Sequence, residues 1–160
     1  MLYVDGDGNA YATLAEALAS GKPVTALDPD VILTVEPGLE LTVPTGMPAA
    51  NIKPTYNGAS ISGYVNVSIE NGKVTLSATD AAKPSATAMT AAGIAVGNVK
   101  PGLYYWVEAS TTQNFTENKT VGTPVQATSE AAVTVAPTNP TTGKVIFYRV
   151  AVDAEKPATP

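Results

Sequence analysis

Asp5, Asp7, Asn9 and Glu16 form the spacing in this chain that most resembles a binding motif. With the Tyr11 carbonyl and Thr13, they fall at positions 1, 3, 5, 7, 9 and 12 of a calcium loop, where hard oxygen donors surround a hard cation. Position 6 of such a loop needs glycine for its sharp turn and here holds Ala10, and only four residues precede Asp5, too few for an entering helix. The same residues also read as a plain turn, with Thr13 and Glu16 as a helix cap. Calcium is the one cofactor the sequence raises, and no other is expected.

Tyr104 and Trp106 share one face of an alternating segment. Facing solvent, they would make a stacking platform for a sugar, so a surface glycan is the alternative ligand; facing inward, they are core. Asp28 and Asp30 flank Pro29. Two carboxylates can hydrolyse a glycosidic bond when they converge from separate strands, but a pair two residues apart in a Pro turn reads as solvated. The chain has no His and no Cys. That removes the Ser-His-Asp triad, thiol nucleophiles, disulfides and the commonest transition-metal ligands. Net charge is −5, so nothing would neutralise nucleic-acid phosphates. No apolar run reaches membrane-spanning length. Met1-Leu2-Tyr3-Val4-Asp5 is no signal peptide, so an exported protein is expected to be represented here by a mature segment. Asn66, Asn114 and Asn118 each begin an Asn-x-Ser/Thr triplet, which a Thr-rich chain produces by chance. No enzyme is expected.

Stepping from residues to elements, the centre of the chain is Gly102 to Ser110, expected to pair with Lys144 to Val152. These runs hold the only Trp and the only Arg and are rich in β-branched and aromatic residues. In the first, Leu103, Tyr105, Val107 and Ala109 point one way; in the second, Ile146, Tyr148, Val150 and Val152 do. Leu2 to Tyr11 reads as a tight hairpin around Asp5-Gly6-Asp7-Gly8-Asn9. Thr13 to about Ser20 is the one helix, with a capping-box spacing at Thr13 and Glu16 and Gly21 at its end. Val24–Leu27, Val31–Val35 and Leu39–Val43 are three short apolar runs, either a meander or rungs of a solenoid. Pro44 to Tyr56 is expected to be loop, and Asn71-Gly72 is a two-residue hairpin turn between Ile61–Glu70 and Lys73–Thr79. Ala81 to Thr90 reads as loop, with helix as the alternative. Ile94–Val99, Thr120–Thr128 and Ala132–Ala136 are further strands, and Pro137 to Gly143 is the last turn. Charged residues are 14% of the chain, well below the roughly 25% usual in globular proteins.

Val67 to Val74, Pro101-Gly102-Leu103-Tyr104-Tyr105 and Phe147-Tyr148-Arg149-Val150 resemble immunoglobulin-like or fibronectin type III-like β-sandwich modules of large surface or secreted proteins of Verrucomicrobia-type bacteria. Tyr11 to Val35 is similar to a segment that precedes β-helical repeats in bacterial surface proteins. The resemblance implies no catalytic residues; it implies a structural or adhesion role at the cell surface or outside the cell. The expected fold is mainly β: an antiparallel sandwich over 51–153, preceded by a small β-α-β segment over 1–50 and followed by a flexible Pro-rich tail over 154–160. The expected partners are other copies or neighbouring modules, arranged end to end, with no nucleic acid and no membrane insertion. Leu2, Tyr3 and Val4, and Val150 and Val152, are the apolar extended segments expected to add as strands to another copy.

Overall fold

A computed structural model describes residues 2–139 and 145–158, Thr87 by its backbone alone. Pro140 to Gly143 of the expected last turn, Lys144 of the expected strand and Thr159 and Pro160 of the tail lie outside the described residues. Among the described residues the chain is mainly β with one α-helix. It divides into two compact units between Ser77 and Ala78. The boundary expected near residue 50 therefore falls inside the first unit, for a reason visible in its strand pairing.

The first unit begins with a hairpin of β1 (Tyr3–Asp5) and β2 (Ala10–Tyr11), then α1 (Leu14–Leu18). The helix is fixed at its start by a complete capping box: Glu16 N–H donates to Thr13 Oγ1, and Thr13 N–H donates to Glu16 Oε2, both at 3.2 Å. β3 (Val24–Ala26), β4 (Leu33–Val35), β5 (Leu41–Thr42) and β6 (Ile52–Tyr56) follow. β5 runs parallel to β3, with Val24 against Leu41, and β6 runs parallel to β4, with Leu33 against Ile52 and Val35 against Pro54. The apolar runs are thus stacked coils and not a meander. Each inward position lies over a like residue, and Val24, Leu33, Val35, Leu41 and Ile52 are all buried. Outward Thr25 lies over Thr42.

Ile52–Tyr56, expected to be loop because of its prolines, is the strand that completes the second coil. Pro54 needs no ladder N–H to do this: its carbonyl accepts from Ile61 N–H at 3.0 Å, and it is the register partner of Val35. β7 (Ala59–Ser60) pairs β6 antiparallel. β8 (Val65–Glu70) and β9 (Lys73–Ala78) form the expected hairpin, with Asn71 and Gly72 at φ +50° and +79°, as a type I′ turn requires. β9 pairs β5, which ties the hairpin to the coils and makes residues beyond 50 part of this unit. The larger sheet runs β2-β1-β3-β5-β9-β8 and the smaller β4-β6-β7.

The second unit has β10 (Ser85–Thr90), β11 (Gly93–Gly97), β12 (Tyr104–Ser110), β13 (Thr120–Val121), β14 (Val125–Gln126), β15 (Val133–Val135) and β16 (Phe147–Asp153). One sheet runs β10-β11-β15. In the other, β12 has β16 along one side and β13 and β14 in succession along the other. β10 corrects the loop expected over Ala81 to Thr90. Its small polar residues carry no strand signature alone, and antiparallel pairing with β11 supplies it. β12 and β16 pair over all seven positions, Tyr104 opposite Asp153 through Ser110 opposite Phe147. β12 is buried at every residue, on both faces. Tyr105 is fully buried, and its hydroxyl accepts from Lys100 N–H at 2.7 Å.

Candidate functional site

The acidic turn at the start of the chain does not gather ligands around a cation. Asp5 is 5% exposed. Its Oδ1 accepts from the N–H groups of Asp7 and Asn9 at 2.9 and 3.0 Å, and its Oδ2 accepts from Asn9 Nδ2 and Tyr11 Oη at 3.1 and 2.8 Å. Both oxygens are thus surrounded by donors, the reverse of a metal site, where donors would repel the ion. Burial pushes the Asp5 carboxyl up, but hydrogen bonds from Asn9 and Tyr11 and the charge of Lys22 outweigh it and hold the group below its ordinary value. Asp7 is ion-paired with Lys22, and Glu16 is the helix cap. The four residues expected as calcium ligands are therefore three separate structural devices. No group of three or more acidic residues placed to hold a metal ion occurs among the described residues.

Tyr104 and Trp106 are not a solvent-facing platform either. They are 8% and 6% exposed, because β12 lies in the middle of its sheet and is covered on both faces. Asp28 and Asp30 form a local turn, Asp28 Oδ1 accepting from Asp30 N–H at 2.9 Å.

The charged constellation that the fold does assemble lies on the face of β12 carrying Trp106. Glu108 is directly opposite Arg149 on β16. Arg149 Nε donates to Glu108 Oε1 at 2.7 Å, Lys119 Nζ is 3.4 Å from Oε2, and Trp106 Nε1 donates to Oε2 at 3.5 Å. Burial pushes the Glu108 carboxyl up, but the Arg149 hydrogen bond and charge, with Lys119 and Trp106 behind them, bring it below its ordinary value. The Arg149 guanidinium also lies 4.2 Å from the centre of the Phe115 ring. Phe115 reaches it from the loop after β12 with a left-handed backbone, φ +57°. That loop is held by its own side chains. Ser110 Oγ donates to the Glu117 carbonyl at 2.5 Å, and Thr112 Oγ1 accepts from the N–H groups of Thr116 and Glu117 at 3.1 and 3.2 Å. The charged cluster locks β12, β16 and the intervening loop together. A cavity of about 250 Å³ in the same unit, lined by Met89, Thr90, Pro137, Tyr148 and small neighbours, contains no carboxylate.

The remaining candidates are strand edges. β1 lies between β2 and β3 and is paired on both sides, and Tyr3 is 4% exposed. Leu2, Tyr3 and Val4 are therefore not a strand free to be donated: their backbone is already used. Val150 and Val152 lie in β16, which among the described residues is paired only with β12. The open edges differ in length. β2, β4, β7, β13, β14 and β15 have two or three residues each, whereas β8 and β10 have six and β16 has seven.

No protein-family model, curated protein or solved structure matches the chain. No helix among the described residues is long and apolar enough to cross a membrane. The sequence points to the pairing of the two strands but not to Arg149 opposite Glu108 within it. The signal was there: an acid in the middle of one strongly apolar run and the single Arg in the middle of its partner. Sequence reasoning also missed β10 as an edge, and Phe115 and Lys119 as parts of the charged cluster.

Proposed function

We propose that this chain is a non-enzymatic structural or adhesion module of an extracellular or cell-surface bacterial protein, arranged end to end with copies of itself or with neighbouring modules. In this reading the two antiparallel sheets of the second unit form an immunoglobulin-like or fibronectin type III-like sandwich. One observation carries the reading: three long strand edges, β8, β10 and β16, have no ladder partner on one side among the described residues. Monomeric β proteins blunt such edges with charge, proline, bulges or short strands. β10 has no charged residue at all, and every residue of it whose side chain is described is exposed, Met89 by 61%. The irregularity between Ala86 and Ala88 is its one blunting feature.

The low charge and the abundance of Thr, Ala and Val support the extracellular placement. The engagement of Asp5, Glu16 and Glu108 in structural contacts supports the non-enzymatic one. Burial of Trp106 removes the support on which carbohydrate binding stood. Electron microscopy of the concentrated chain tests the arrangement: linear strings of particles are expected, and a field of separate single particles would overturn the non-covalent form.

A further inference from the structure

We propose that the open edge of β16 in one copy receives β8 of a second copy as an antiparallel strand, with Glu70 opposite Arg149. The proposal rests on the end-to-end reading above and names its contact. Of the long edges, β10 has no charge with which to select a partner, whereas β8 carries one acid, Glu70, and β16 carries Arg149 near its start and Asp153 at its end, so only one end of β16 suits Glu70. Opposite charges across a strand pair are favourable and like charges are not.

Register makes the match specific. With Glu70 opposite Arg149, antiparallel pairing sets Ser68 against Ala151 and Asn66 against Asp153. On the other face it sets Ile69 against Val150 and Val67 against Val152. Glu70, Ser68 and Asn66 are the exposed residues of β8, and Val67 and Ile69 the half-buried ones. On β16, Arg149 shares the face of Glu108, while Val150 and Val152 pair with Val107 and Tyr105, both fully buried. Glu70 and Asn66 thus meet polar residues, Ser68 meets the small Ala151, and Val67 and Ile69 meet valines. A slip by one residue would invert every match. Parallel pairing with the same charges opposed leaves only Ser68 to Glu70 within reach of β16 and sets Ile69 against Tyr148.

The Arg149 side chain is prepared for a carboxylate. Its Nε is fixed by Glu108 and its plane by Phe115, and among the described residues its terminal nitrogens have no partner. A guanidinium anchored in this way keeps its outer fork for a second acid. Glu70 is likewise without a hydrogen bond or ion pair among the described residues. Because β8 and β16 are different strands of one chain, each copy gives one strand and receives one, a heterologous contact that continues from copy to copy unless its rotation closes a ring.

The chain has no Cys, so introduced thiols report the contact cleanly. The doubly substituted Ser68→Cys, Ala151→Cys chain, oxidised at high concentration, should give a ladder of multimers on a non-reducing gel. The Val67→Cys, Ala151→Cys chain, with one thiol on the opposite face, should give almost none. Glu70→Arg, an exposed substitution that leaves the fold alone, should raise the concentration needed for association about tenfold. If the unmodified chain associates but the two cysteine pairs cross-link equally, or Glu70→Arg changes nothing, this contact is wrong and the end-to-end reading survives it. If neither the unmodified nor the substituted chains associate, both this contact and the non-covalent form of the end-to-end reading are wrong.

Discussion

Glu108 is an acid in the middle of a strand buried on both faces, and its position is tolerable only because Arg149 and Lys119 reach it. Glu108→Gln should lower stability by about 1–2 kcal/mol, at the lower end for broken buried pairs because Arg149 is half exposed and screened. The sign of its pH dependence follows from the direction of its shift. The folded carboxyl lies below its unfolded value, so its contribution is complete above the ordinary carboxylate range and is lost as pH falls through the folded pKa. Thermal melts from pH 7 to pH 3 should therefore fall less steeply for Glu108→Gln than for the unmodified chain. At Asp5 the donors already fill both oxygens, so calorimetric titration with millimolar calcium should give no heat and no change in melting temperature. The turn residues around Asp5 were legible in the sequence, but the direction of their hydrogen bonds was not. Spacing shows which oxygens are near one another; it does not show that Asn9 and Tyr11 donate to Asp5 in place of a cation.

Local chemistry at the scale of elements was readable where it is self-contained. The Asn71-Gly72 turn and the Thr13/Glu16 cap each depend on residues within a few positions, and both are present. Thr13→Ala should cost about 1 kcal/mol, measured by urea unfolding. β6 and β10 were not readable, because each becomes a strand only through a distant partner: β6 through β4, and β10 through β11. The close approach of β11 to β15 gives a sharper test. Gly93 has φ +135°, and a Cβ there would collide with the Val135 carbonyl oxygen. Gly93→Ala should destabilise the chain by about 2–3 kcal/mol, from backbone strain and overpacking together. Gly8→Ala, also at positive φ but with open space around it, should cost less.

For the whole molecule, composition and alternation pointed to β structure, and the β12–β16 pair at its centre could be read from two apolar runs. The division between the units could not. It depends on β9 returning to pair with β5, a long-range contact that no local turn signal announces. The assembly surfaces also moved when the partners of each strand became known: β1 is consumed within its sheet, while β8, β10 and β16 keep open edges. A contact between two different edges of one chain makes an open series of copies unless its rotation closes a ring, and a contact of one edge with itself makes a closed pair. Light scattering of the intact chain against concentration separates these outcomes most directly. The non-covalent end-to-end account predicts an average mass that climbs steadily from the 16.3 kDa of one copy with no plateau. A mass that stays at one copy, or that levels off at a closed dimer, would contradict it.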